Sequence, residues 1–337
     1  MATFGIANLL GAFCGGLFGA GIGGVSCFII CALLAFISFL TGSPIPQAVG
    51  FSPFLTPSTC FIGAAVGASY ANYKGYGNGA NGAGDVLINL KKLDVLIVSG
   101  IGGLAGWCLT GVLNMIGLAG LDTIATAVII IPLLTKMVWH KQFFTPVPAE
   151  EQALGGRFSP LVAGWNPGSR DAIERTLWAS CYGAVLALAY YIAADAGSAF
   201  AGLLGFGFGG FVLVFPGFPA QHFIGCVVCT ALGFVSEAIG GLDVVMFMVY
   251  GICLAPMAAH FAELGDDLFF RHSPTHIDIP AFSIMLGTIV VAVINLVAPA
   301  LYAGYVLPVV IFALSVIVAI AMKAKGKKLA AQKGISL

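Results

Sequence analysis

Few side chains in this sequence could do chemistry, and most of them lie inside apolar runs. His222 and His260 are the clearest. An ionisable group inside a membrane-length apolar segment is costly and is a candidate for contact with a substrate or proton. Imidazole also titrates near neutral pH. Gln221 adjoins His222, and Glu263 follows His260 by three residues, on the same helical face. The competing reading is a structural histidine with its hydrogen bonds met by neighbours. A second group is Ser52-Pro53-Phe54-Leu55-Thr56-Pro57-Ser58-Thr59. Its two prolines break a helix and free backbone groups. Ser52, Thr56, Ser58 and Thr59 place hydroxyls beside the break. The helix expected after Pro57 would present free N–H groups and the positive end of its dipole, which suits a small anion. The plainer alternative is that these hydroxyls only satisfy the broken backbone. Cys253-Leu254-Ala255-Pro256 resembles Phe54-Leu55-Thr56-Pro57 and adds Pro256 to the candidates.

The third group is a glycine pattern that occurs twice. Gly16-Leu17-Phe18-Gly19-Ala20-Gly21-Ile22-Gly23-Gly24 returns as Gly202-Leu203-Leu204-Gly205-Phe206-Gly207-Phe208-Gly209-Gly210, with five glycines in the same places. Such spacing near the start of each half of the chain implies an internal duplication. Gly19, Gly21 and Gly23, with Gly205, Gly207 and Gly209, could unwind a helix and offer backbone N–H groups to a ligand in a cavity. They could equally let helices approach closely. The surrounding runs are apolar and show no βαβ pattern, so a dinucleotide fold is not supported.

Other arrangements are weaker. Cys226-Val227-Val228-Cys229 has no second cysteine pair to complete a metal site. His272, His276 and Asp278 could share a metal in a loop, but no cysteine lies nearby. No Ser-His-Asp set or carboxylate pair stands out, so no catalytic residue, metal or cofactor is expected. The protein is read as a non-enzyme.

The elements that must position these groups follow from composition. Of 337 residues, 59% are hydrophobic and 8% charged, with a mean hydropathy of +1.02. Soluble domains carry about a quarter charged residues, so this chain could not coat a water-facing surface. Apolar runs near twenty residues recur throughout, as in membrane-spanning helices. The nine cysteines lie mostly in these runs and act as small hydrophobes. The formal net charge is zero, which gives no basic field for nucleic acid.

The expected fold is all-α: a polytopic integral membrane protein of about ten helices, in two homologous halves with broken helices. Residues 1–140 form the first membrane repeat, 141–175 a hydrophilic cytoplasmic linker, 176–322 the second repeat and 323–337 a basic cytoplasmic tail. The first apolar run, 4–40, is cut by the glycines and reads as one long kinked helix or a half-helix plus a full one. Asp122, Asp195, Glu237 and Asp243 sit near predicted helix ends, where capping or interfacial exposure explains them, and Ser169 to Glu174 could cap a short amphipathic entry helix. With the lysine tail inside, four spans in the first half and six in the second put every basic cluster on one side. Both termini are then cytoplasmic, and the expected location is a bacterial inner membrane.

The glycine copies, the Pro46-Gln47-Ala48-Val49-Gly50 turn, the Tyr73-Lys74-Gly75 loop and the Gly210-Phe211-Val212-Leu213-Val214-Phe215-Pro216 run resemble the TauE/SafE family. The resemblance covers most of the chain in outline. It implies a secondary transporter of two membrane halves that handles sulfite-like oxyanions or small organosulfonates. Interrupted helices in duplicated halves independently point to a site between repeats. The expectation is therefore alternating-access transport of a small anion (a sulfur oxyanion, organosulfonate or carboxylate) across the lipid bilayer. Protons and sodium are the candidate coupling ions, and a homo-oligomer is among the candidate states. The alternatives are a channel for a small neutral solute such as urea, recognisable by linear, gradient-independent flux, and a membrane-embedded enzyme or a non-transporting subunit.

Overall fold

The computed structural model describes residues 4–77, 82–162, 164, 171–215 and 221–335. The described residues form helices and connecting turns, with no strand among them. The first half contains α1 (Ile6–Ile22), α2 (Gly24–Thr41), α3 (Pro44–Gly50), α4 (Cys60–Tyr73), α5 (Leu93–Ile116) and α6 (Thr123–His140). A short α7 (Ala149–Ala153) lies in the linker. The second half contains α8 (Ala172–Asp195), α9 (Leu204–Phe211), α10 (His222–Ile239), α11 (Val244–Gly265), α12 (Ile279–Val297) and α13 (Val306–Lys333). Eight of these are long and apolar enough to cross a membrane. Two shorter apolar helices, Ile6–Ile22 and Ala201–Val214, join them. The broken pair α3 and α4 supplies a further element. The expected count of about ten thus resolves into full spans, short helices and one interrupted helix.

The first apolar run is two helices. They meet at Gly23, whose φ of +89° is open to glycine and strained for other residues. The turn is tight enough that a Cβ there would lie 2.7 Å from the Gly84 carbonyl oxygen. Hydropathy counts apolar residues and does not see such a turn. α3 then runs back along α2: Gln47 N–H donates to Ser38 Oγ at 2.8 Å, and Cys31 Sγ donates to the Gly50 carbonyl at 3.0 Å. After the break at 51–59, α4 continues in the same sense.

The two halves pack by the same rule. α1 lies against α4 and α5, α4 against α5 and α6, and α5 against α6. Likewise α8 lies against α10 and α11, α10 against α11 and α12, and α11 against α12. Counterparts also pair across the halves. In α2 and α9, Gly210 faces Ala32 while Gly207 faces Phe36, so the helices run antiparallel. At one end of α6, Asp122 N–H donates to Thr288 Oγ1 in the later part of α12. At the other end, His140 lies 3.4 Å from Ser69 Oγ, which bonds Thr275 just before α12. That pair is antiparallel too. Among the described residues each half has five such elements, an odd number, which makes the two halves inverted, and α13 has no counterpart among them. The Ile6 end of α1 consequently lies at the end of the bundle opposite the lysine tail. The four-plus-six count had put the two on one side.

This packing displaces the duplication drawn from the glycines. Gly16 to Gly24 straddles the end of α1, whereas Gly202 to Gly210 forms the body of α9. Gly24 packs on Ala64 and Phe61 of α4, and the equivalent contact in the second half is made by Gly205 on Gly225. The motif would have aligned Gly24 with Gly210. Pro256 does not break its helix either: α11 continues through it to Gly265. The irregularity comes later, in a π-helical turn at Asp266–Phe270.

Candidate functional site

A cavity of about 360 Å³ lies between the two halves. The first half supplies Phe28 from α2, Phe51 and Pro57 from the break, and Phe61 from the first turn of α4. The second half supplies Phe206, His222, Phe270, His276 and Asp278, and α6 contributes Asp122 at its N-cap. The starts of α4 and α10 therefore both border the cavity, one from each inverted half. Their dipoles place partial positive charge at its wall.

Among the polar groups, two histidines stand apart. His222 is 4% exposed, and its Nδ1 has no hydrogen-bond partner among the described residues. Its ring packs against Phe28, with centroids 4.6 Å apart. His276 is held between Phe61 and Phe270, each with ring centroids 5.5 Å from its own. Its Nε2 lies 3.5 Å from Asp278 Oδ1, beyond a good hydrogen bond. Both ring nitrogens lack a hydrogen-bond partner among the described residues. Buried polar atoms are rarely left unpaired, so these nitrogens are open to water or to a ligand in the cavity. The two carboxylates are anchored instead. Asp122 Oδ1 accepts from Ala125 N–H at 2.8 Å and Asp278 Oδ2 from Ala281 N–H at 2.7 Å, each as a helix N-cap.

Of the residues singled out from sequence, His222 lines the cavity, and Gln221 is buried at the N-cap position of α10. Ser52 Oγ is buried without a partner among the described residues. Thr56, Ser58 and Thr59 are buried and serve the break itself. Thr59 Oγ1 donates to the Thr56 carbonyl at 2.8 Å, and the Thr56 and Ser58 hydroxyls are 3.4 Å apart. The break reaches the cavity through Phe51 and Pro57 rather than through these hydroxyls. The glycines bring helices together. A Cβ on Gly19 would lie 1.9 Å from the Cys60 carbonyl oxygen, one on Gly205 2.3 Å from the Gly225 carbonyl carbon, and one on Gly209 2.7 Å from the His222 backbone. Gly207 packs on Phe36, Gly23 makes the α1–α2 turn, and Gly21 faces open space. Pro256 is buried within α11.

His260 lies elsewhere, among α8, α11 and α13. Its Nε2 is 3.1 Å from the Ser315 carbonyl and 3.4 Å from Thr176 Oγ1. Arg175 sits beside its Nδ1 and pairs with Glu263 at 3.3 Å. The His272, His276 and Asp278 group divides: His272 Nε2 pairs with Glu151 Oε1 at 2.8 Å, while His276 and Asp278 face the cavity. Sequence reading missed His276, Asp278 and the phenylalanine walls as a site. The available signal was a histidine two residues ahead of an N-cap aspartate at the mouth of an apolar helix.

A second polar centre lies beside the π-turn. Arg271 reaches Asp266 Oδ2 at 2.8 Å, Glu151 Oε2 at 3.6 Å, and Asp267. Arg157 donates to the carbonyls of Asp267 at 2.8 Å and Thr145 at 2.6 Å. Lys136, fully buried, donates to Thr145 Oγ1 and to the Phe269 carbonyl. The linker is thereby fastened to the segment that carries Phe270 into the cavity.

Residues 149–309 match the model of a family of unknown function (DUF7973). That span runs from α7 into α13 and includes His222, His276 and Asp278. No curated protein and no solved structure matches the chain.

Proposed function

We propose that this protein is a secondary membrane transporter that carries a small anion through the cavity between its two inverted halves. The observation that carries the reading is the convergence of two antiparallel helix starts on one cavity that holds buried His222, whose Nδ1 lacks a hydrogen-bond partner among the described residues. Helix N-termini and imidazole N–H groups are donors to an anion. The phenyl rings suit a short apolar body attached to it. A small organosulfonate or carboxylate combines these parts, and the resemblance to TauE/SafE proteins points the same way. Alternating access follows from rocking one half against the other around a fixed site. The face that carries Lys74, Lys91, Lys92, Lys141, Arg157, Arg271 and the lysine tail is assigned to the cytoplasm. The start of α1 is then on the outer side.

The test is a flux screen in proteoliposomes over sulfite, methanesulfonate, 2-hydroxyethanesulfonate, small dicarboxylates and urea. Saturable counterflow of at least one anion is expected, with a loss of tenfold or more in kcat/KM in His222→Ala. Flux of urea that stays linear in concentration, without anion counterflow, would replace this reading with a neutral-solute channel.

A further inference from the structure

The main cavity carries an inference furthest, and it rests on the transporter reading above. We propose that the anion crosses together with one proton, and that the His276–Asp278 pair is the proton carrier.

Two carboxylates, Asp122 and Asp278, face the cavity. No lysine or arginine is among its described lining residues. An anion brought into this low-dielectric space meets like charge with no fixed cation to offset it. The groups that can turn positive are His222 on α10 and His276 ahead of α12. Cys226, on α10, can only add negative charge. α2, α4, α9 and the break contribute Phe28, Phe61, Phe206 and Pro57, which carry none. Asp266, Asp267 and Glu151 are engaged by Arg271 on the far side of the π-turn. The compensating charge therefore arrives as a proton on a histidine.

Geometry selects which one. His276 has a carboxylate oxygen 3.5 Å from Nε2. That carboxylate is pinned through its other oxygen to Ala281 N–H. Protonated His276 can close this gap to a charge-assisted bond and still present its Nδ1–H to the anion. His222 packs against Phe28 with the rings tilted by 48° and their centroids 4.6 Å apart, and it forms no ion pair among the described residues. It acts as a neutral donor that orients the anion. The balance is simple: imidazole plus H⁺ gives imidazolium on the loading side, and the same proton leaves on the releasing side. A monovalent anion moves with one H⁺, so the cycle is electroneutral.

The measurement uses the full chain in liposomes with a trapped pH-sensitive dye and an inward gradient of methanesulfonate, which has no proton to lose near neutral pH. Wild type should acidify the lumen with about one proton per anion, and an imposed potassium diffusion potential should leave the rate unchanged. In His276→Gln and Asp278→Asn the ratio should fall at least tenfold; Asn retains the helix cap. Melting temperature and monodispersity in detergent identify any variant that fails to fold. Such a variant is replaced by a pH titration of wild-type flux, which should rise as the loading side is acidified. Methanesulfonate flux without lumen acidification, or with a rate set by membrane potential, overturns the proton assignment and leaves the transporter standing. Absence of flux for every anion in the screen overturns the transporter reading, and the proton assignment with it.

Discussion

Gly225 and Gly233 lie two turns apart on α10 and allow one substitution to be compared with itself. A Cβ on Gly225 would stand 2.4 Å from Gly205 Cα and 2.6 Å from its carbonyl oxygen. A Cβ on Gly233 would meet nothing within 4 Å. Both sites are helical, so Gly→Ala contributes the same propensity gain to each, roughly 0.5–1 kcal/mol. That gain cancels in the comparison. What remains is the overlap at Gly225. Carbon atoms settle at about 3.5–4.0 Å, so α9 and α10 must separate by roughly 1 Å. The obstacle is backbone, and no rotamer change relieves it. Overpacking of this kind costs about 1–3 kcal/mol. With a shift of ~2–4 °C per kcal/mol for a chain of this order of size, Gly225→Ala should melt at least ~2 °C below Gly233→Ala. Gly233→Ala itself should melt at or slightly above wild type. The assay is thermal unfolding of detergent-purified protein followed by tryptophan fluorescence, with size exclusion to report folding. Equal melting temperatures for the two variants would refute the view that these glycines exist for helix contact.

Three other perturbations follow from single side chains. Arg271→Ala strands Asp266 and Asp267 in a largely buried site, leaving Glu151 only His272 among the described residues, and should cost about 3–5 kcal/mol, with partial recovery in Arg271→Ala/Asp267→Asn, read by melting temperature. Tyr250 places its hydroxyl among the carbonyls of Leu301, Tyr302 and Gly304 at 3.1, 3.2 and 3.1 Å; Tyr250→Phe should destabilise by ~1–3 kcal/mol and loosen the turn before α13, seen as faster amide exchange at 298–305. Asp171 caps α8 and pairs with Lys323 at 2.7 Å, and the hydrogen bond from Lys323 holds its carboxyl below the usual carboxylate range. A depressed carboxylate contributes stability above its unfolded pKa and loses it as pH falls through the folded value. The tail should therefore stay protected from exchange at neutral pH and open only below about pH 4, whereas in Asp171→Ala it should be open at both.

The membrane class and the positions of most helices were legible because hydropathy is a sum over many residues. Single-residue geometry was not. Gly23 turns the chain with a positive φ that no apolar count registers, and this moved the start of α1 to the other end of the bundle. Asp122 and Asp243 were legible as caps, since each lies just ahead of an apolar run, and their carboxylates bond Ala125 and Met246 N–H. His222 and His260 looked alike in sequence, each in an apolar setting. They differ because α13 brings the Ser315 carbonyl to His260, while nothing among the described residues reaches His222 Nδ1. His276 was hidden by its loop, where it resembled one member of a loose metal set. Only the fold shows that α12 begins beside α6 and turns that loop toward the cavity. Pro256 drew attention as a helix breaker, but packing holds α11 continuous across it.

The polar groups of the cavity are unevenly divided. His222, His276 and Asp278 come from the second half together with Phe206 and Phe270, whereas the first half supplies Phe28, Phe51 and Phe61, with Asp122 at the start of α6. Inverted halves with unlike linings can divide the labour: both histidines sit on one side, and the other side presents mainly phenyl rings to the solute. Phe28 is the sharpest test of that division, because its ring packs on His222 at 4.6 Å, Phe206 at 5.4 Å and Phe61 at 6.4 Å. Phe28→Ala would enlarge the cavity and remove the ring that packs against His222, at a cost of about 3–5 kcal/mol if the site does not collapse. In transport, a wall that only shapes the solute should raise KM for methanesulfonate about tenfold or more while the proton-to-anion ratio stays near one. His276→Gln should do the reverse and lower the ratio more than it raises KM. If Phe28→Ala abolished proton movement while methanesulfonate still crossed, the aromatic half would be part of the proton path and the division proposed here would be wrong.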